Sequence, residues 1–281
     1  MLRIITDTGS DIPYLSAGAL GMESLELAVE FEEFAYDYRN DTDFSTFFEY
    51  LAQAKNLPTT SQVTPGQYLD VFRDAEEKGD EVLVIAISSK ISGTYGSAVI
   101  AKEMSGYEGI TLVDSRQCFT TQRMLAEEAV KLRAEGKSRA EIAKEVEILR
   151  ERLVLVVMLD TLKYLKKGGR VPPALALVGE LLNLKPTLIV RDGKIEALGK
   201  ARGFEAGKRA LWKQFETDGY DPTRPVYFGY SYDKVRGDAF MQETKNKYGL
   251  VGECQLFPVG GVIGTHTGTG AIAIAYAKPL K

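Results

Sequence analysis

The stretch that decides the fold is Val82-Leu83-Val84-Ile85-Ala86-Ile87, running into Ser88-Ser89-Lys90-Ile91-Ser92-Gly93-Thr94-Tyr95. Six apolar residues without polar alternation mark a strand covered on both faces. The hydroxyl-rich turn that follows leads into a helical pattern. The same sequence of events recurs on either side. Ile4-Ile5 runs into Thr6-Asp7-Thr8-Gly9-Ser10-Asp11, with Pro13 placed to open a short helix. Ile110 to Val113 stops at Asp114-Ser115, and Leu153 to Leu159 reads as the next strand. Helices fill the gaps. Asp43 to Ala54 carries Phe44, Phe47, Phe48 and Leu51 on one face. Thr64-Pro65-Gly66-Gln67 is a capping box with proline at the first helical position, and Ser138 with Glu141 caps a later helix. Strands alternating with helices predict a parallel sheet with right-handed crossovers.

Beyond about residue 160 the texture changes. Asp160 to Asn183 reads as helical but broken at Gly168-Gly169, with Pro172-Pro173 opening an apolar helix that reaches Leu184. Thr187 to Arg191, Asp192-Gly193 and Lys194 to Leu198 form the strongest hairpin signal in the chain. A helix around Trp212, a strand at Val226–Tyr230, a helix from Asp233 to Tyr248 and a strand near Cys254 to Phe257 follow. A glycine-rich loop, Gly260 to Gly270, precedes the period-2 strand Ala271 to Tyr276. The expected architecture is α/β with two domains, 1–158 around a parallel sheet and 159–281 around a mixed or antiparallel one.

Acidic residues outnumber basic ones by 39 to 35, which argues against a nucleic-acid partner. Cys118, Cys254 and the single histidine, His266, are too few for a Cys/His zinc cluster or a disulfide framework. Asp7 comes too early for a signal peptide, and no apolar run is long enough for a membrane-spanning helix. The expectation is a cytoplasmic protein without stable membrane insertion.

Asp7-Thr8-Gly9-Ser10 has the form of an aspartic-protease motif, but the required second copy is missing: Asp160-Thr161 is followed by leucine. A turn whose polar side chains cap backbone N–H groups explains it better. No nucleophile elbow, phosphate-binding loop or dinucleotide fingerprint is present. What remains is a set of hydroxyl-rich turns at the carboxyl edge of a parallel sheet, where ligands bind. Thr59-Thr60-Ser61-Gln62 lies in the loop before the Thr64 helix. Neutral hydroxyls and N–H groups suit an anion held by hydrogen bonds. His266, framed by Gly264 and Gly268, belongs to a loop that is built around a ligand or partner.

These motifs, in order from end to end, closely resemble the DegV family of bacterial fatty-acid-binding proteins, the lipid-carrying subunits of fatty acid kinase. The resemblance rests on Thr6 to Pro13, Thr60 to Pro65, Ser88 to Ala98, Leu162 to Arg170, Leu182 to Pro186, Arg202-Gly203 and Gly264 to Gly268. It implies one long-chain fatty acid, of the C16–C18 class, between the two domains, with its carboxylate held by Thr60, Ser92 and His266. Ser61, Gly93, Thr94 and Thr265 would complete the head-group shell, and Arg170 and Arg202 would dock the kinase. The partner would phosphorylate the carboxylate to an acyl phosphate for phospholipid synthesis; the chain itself would be non-catalytic and need no cofactor. A protonated His266 would add a charge-assisted bond, and Ala174 to Leu184 would wall the tunnel. The alternative is an esterase or acyl-transfer enzyme using Ser92 and His266. Two departures stand out. Arg116 to Gln122 replaces the family's usual continuation after Asp114-Ser115, and Lys90 stands where glycine is common.

Overall fold

The computed structural model describes residues 1–41, 44–176 and 183–280. Its strands, in chain order, are β1 Leu2–Asp7, β2 Glu23–Leu25, β3 Ala28–Glu30, β4 Thr59–Ser61, β5 Glu81–Ala86 and β6 Ile110–Asp114. Then come β7 Leu153–Met158, β8 Leu184–Arg191, β9 Lys194–Arg202, β10 Val226–Tyr230, β11 Cys254–Pro258 and β12 Ile272–Ala277. The first sheet has the order β2-β1-β5-β6 and is parallel throughout. Val82 to Ala86 is buried on both faces, as its unbroken apolar run requires.

The second sheet is mixed, in the order β11-β10-β12-β7-β8-β9, with only β10 and β11 parallel. This corrects one expectation: β7 does not extend the parallel sheet. It lies antiparallel between β12 and β8, so the last strand of the first half is a central strand of the second sheet. Its apolar run fits either place, because both bury two faces.

Local signals translate directly. Asp192 and Gly193 have φ of 48° and 79°, the positive pair of a type I′ turn, and join β8 to β9 as a hairpin. Both capping boxes form, at Thr64–Gln67 and Ser138–Glu141. Helix Ser45–Gln53 buries Phe47, Phe48 and Leu51, while Phe44 turns in ahead of it at φ 60°. Phe47 N–H is capped by Asp41 Oδ2 at 2.9 Å. Asp43, expected to start this helix, lies outside the described residues.

The alternation of Ala271 to Ala277 divides the second sheet by side-chain size. Ile272, Ile274 and Tyr276 pack with Phe215, Phe228 and Phe240 on one face. Ala273, Ala275 and Ala277 face the other way, into the same core that fills the first sheet. The two sheets are therefore packed through a row of small residues, and room is left between them.

Candidate functional site

Three segments converge at the carboxyl edge of the first sheet. The turn after β5 carries Ser88 to Gly93. Thr60 sits on β4, a short strand rather than the expected loop, paired antiparallel to β3 through Val29. His266 lies on a helix, Gly261–Thr267, where a glycine-rich loop was expected. The helix forms because its glycines leave room for neighbours: a Cβ at Gly264 would collide with the ring of Phe47, and one at Gly268 with Tyr164.

Thr60 Oγ1 lies 3.0 Å from His266 Nε2. Ser92 Oγ lies 2.9 Å from Thr94 Oγ1, which in turn accepts from Val63 N at 3.3 Å. Gln62 Nε2 donates to Ser97 Oγ at 2.7 Å, and its amide occupies the space that any side chain at Gly93 would need. His266 Nδ1 is buried without a partner and faces Gly168, where a Cβ would collide with the ring. Burial, reinforced by the positive charge of Arg170, lowers the His266 pKa to about 4. Without a ligand the imidazole is thus neutral at pH 7, because no other cause offsets its desolvation.

Thr60, Ser61, Gln62, Ser92, Gly93, Arg170 and His266 line one pocket, with about 690 Å³ of atom-free space including its open mouth. It adjoins a cavity of about 720 Å³, counted the same way and lined almost wholly by carbon, and Ile91, Arg170, Ile263 and His266 belong to both walls. Arg170 is exposed; its Nε donates to Ile91 O at 3.2 Å and its Nη1 to Gly168 O at 2.6 Å. A polar mouth with neutral donors and an apolar interior suits an amphiphile with an anionic head.

Other expected residues fall elsewhere. Thr94 is buried behind Ser92 rather than in the pocket wall. Thr265 turns its hydroxyl back onto Gly261 O at 2.8 Å, the ordinary habit of a helical threonine, and is not among the residues that line the polar pocket. Arg202 is exposed at the end of β9, and neither pocket includes it. The wall expected from Ala174 to Leu184 falls largely outside the described residues. Only Pro173–Ala176 is a helix there, residues 177–182 lie outside the described residues, and Leu184 already begins β8.

Among the described residues, the apolar wall comes from one face of the second sheet. Leu155, Val157, Leu188, Val190, Gly229 and Ala273 line it, together with Cys118 and Phe119. The signal was present in Ala271-Ile272-Ala273-Ile274-Ala275, whose alternating small residues open space beside a strand. Among the described residues Ser92 bonds to Thr94 and His266 to Thr60, and Nδ1 of His266 has no hydrogen-bond partner to orient it as in a catalytic triad.

Known proteins share this fold. A sequence profile of the DegV family, described as uncharacterised proteins, matches residues 1–279. A DegV domain-containing protein of Caldanaerobacter subterraneus is 31% identical over 280 residues, 99% of each chain. Among solved structures, a fatty-acid-binding DegV family protein from Thermus thermophilus superposes with a TM-score of 0.85 at 32% identity, covering 98% of this chain and 99% of that one. A stearic-acid-binding protein from Eubacterium ventriosum gives a TM-score of 0.84 at 26% identity, covering 99% and 98%. The chain belongs to the DegV family.

Proposed function

We propose that the protein binds one long-chain fatty acid, acyl chain in the apolar cavity and carboxylate in the polar mouth, and presents that carboxylate to a partner fatty acid kinase. The observation that carries this reading is the junction itself: His266, Ile91 and Ile263 bound both the hydroxyl-lined pocket and the carbon-lined cavity. The fatty acids bound by the relatives from Thermus thermophilus and Eubacterium ventriosum support the ligand class.

The division of labour follows from magnitudes. Removing about 16 carbons from water is worth roughly 0.8 kcal/mol per CH₂, on the order of 10 kcal/mol before the costs of association. The mouth therefore has only to orient the head. Thr60 and Ser92 donate hydroxyl protons to the carboxylate. Nδ1 of His266 lacks any acceptor, so the proton is better carried on Nε2, which faces the mouth and donates as well. Three neutral donors hold the anion without cancelling its charge. A carboxylate oxygen left nucleophilic in this way is suited to attack the γ-phosphorus of ATP on the partner, releasing ADP.

The chain supplies no phosphate-binding loop, which fits a carrier rather than a kinase. The kinase step is tested by incubating palmitate-loaded protein with ATP and a bacterial fatty acid kinase catalytic subunit, and trapping acyl phosphate with hydroxylamine. Palmitoyl hydroxamate dependent on all three components is expected. Its absence with a kinase subunit that is active on another DegV carrier would reject the presentation role.

A further inference from the structure

The motif Thr6-Asp7-Thr8-Gly9-Ser10-Asp11 takes no part in lining either pocket, yet four of its side chains reach out of their own turn, Thr6 Oγ1 to Ile85 O at 3.0 Å and the other three toward the site. Asp7 Oδ2 accepts from Ile87 N at 2.8 Å, the residue from which the Ser88–Gly93 turn departs. Thr8 Oγ1 accepts from Leu27 N at 2.9 Å, just ahead of β3, whose Val29 pairs with Thr60. Asp11 Oδ2 accepts from Gly260 N at 2.8 Å, the residue that caps the His266 helix 249 positions later in the chain. Each bond ends at the root of one of the three site segments. Leu27 and Ile87 themselves line the polar pocket.

The motif accepts a cost to do this. Asp7 and Asp11 are almost wholly buried, and burial raises the pKa of both carboxyls, Asp7 to about 6. Asp11 holds a left-handed backbone at φ 49°, and its Oδ1 is buried without a partner. A helix cap inside one turn needs none of these features. The N–H of Gly9, which Asp7 Oδ1 caps at 2.9 Å, is the only bond of that local kind from these three side chains.

We infer that Asp7, Thr8 and Asp11 are positioning residues that fix the Ser92 turn, the Thr60 strand and the His266 helix to one another, so that the three donors meet at a single carboxylate. This rests on the proposed fatty-acid site, but the bracket it describes exists in the empty protein and can be read there. Asp11 acts through the Gly260 N–H, Thr8 through Leu27 and Asp7 through Ile87. None of the three lines either pocket.

His266 is the only histidine, so its imidazole gives one NMR signal that reports on the site without ligand. Asp11→Ala removes the acceptor at the start of the helix; the His266 titration midpoint should move from about 4 toward 6.5 as the ring loses its buried seat, and palmitate loading should weaken about 10-fold. Asp11→Asn keeps a carbonyl acceptor and should restore a midpoint near the wild-type value. Thr8→Val, nearly isosteric, should leave the fold intact, speed hydrogen exchange at Leu27 and weaken loading about 5-fold. It decides the matter if Asp11→Ala does not fold. Folded variants whose His266 titration, Leu27 exchange and loading all match wild type would overturn the inference. A wild-type protein that loads no fatty acid, while Asp11→Ala still moves the His266 midpoint, would reject the ligand and leave the bracket standing.

Discussion

Thr60 and His266, 206 residues apart, meet at 3.0 Å across the junction between the polar mouth and the apolar cavity. The contact joins a strand of the first half to a helix of the second, so the head-group site exists only when both are docked. Thr60→Val keeps the shape of the side chain and removes its donor. A hydrogen bond to a charged group is worth about 1.5–3 kcal/mol, so palmitate affinity should fall by at least about 10-fold with little change in melting temperature. Equal affinity by calorimetry would remove Thr60 from the site.

Gly168 is fixed by the ring it faces. A Cβ there would collide with Nδ1 and Cε1 of His266, and the ring cannot retreat because Phe47 and Tyr164 crowd its helix. Gly168→Ala should therefore disturb the single histidine signal and weaken loading. Gly169→Ala is the comparison: Gly169 has open space but φ of 69°, so its cost should appear in stability and leave the His266 signal in place. The reverse pattern would contradict the packing described.

The His266 titration sets a pH dependence with a definite sign. The unfolded chain takes up a proton near pH 6.5, whereas the folded chain refuses it until about pH 4. His266 therefore contributes a loss of stability as pH falls through that window, opposed by Asp7, whose raised carboxyl takes up its proton more readily in the folded chain. Chemical denaturation at pH 7 and pH 5 should show a smaller loss in His266→Gln than in wild type. Equal losses would contradict a buried neutral histidine.

One wall of the cavity depends on Phe119. Its φ of 54° is strained for a bulky residue, and its ring covers Gly229, where any side chain would collide with it. Phe119→Ala should cost about 3 kcal/mol of stability, the usual range for a buried aromatic, while lengthening the acyl chain preferred from a C14–C20 mixture. A folded variant with an unchanged chain-length profile would move the end of the cavity elsewhere.

Much of this was legible because it is local. Asp192-Gly193 specifies its hairpin by turn chemistry, Thr64 and Ser138 specify helix starts by their own side chains, and Val82 to Ile87 specifies a buried strand by composition. The residues proposed for the head group were picked out through family motifs. What was not legible depends on distant partners. β7 has the same apolar composition in either sheet, and only pairing with β12 and β8 decides its place. Gly261 to Thr267 lacks intrinsic helix propensity and is helical because Asp11 caps it and Phe47 packs on its glycines. His266 looked chargeable until its desolvation was visible.

The central claim is tested most directly by denaturing mass spectrometry of the purified protein after incubation with equal amounts of palmitate and oleate. One fatty acid per chain is predicted for the wild type, with most of it lost from the Thr60→Val/Ser92→Ala double variant. A folded wild-type protein carrying no stoichiometric fatty acid would contradict the account.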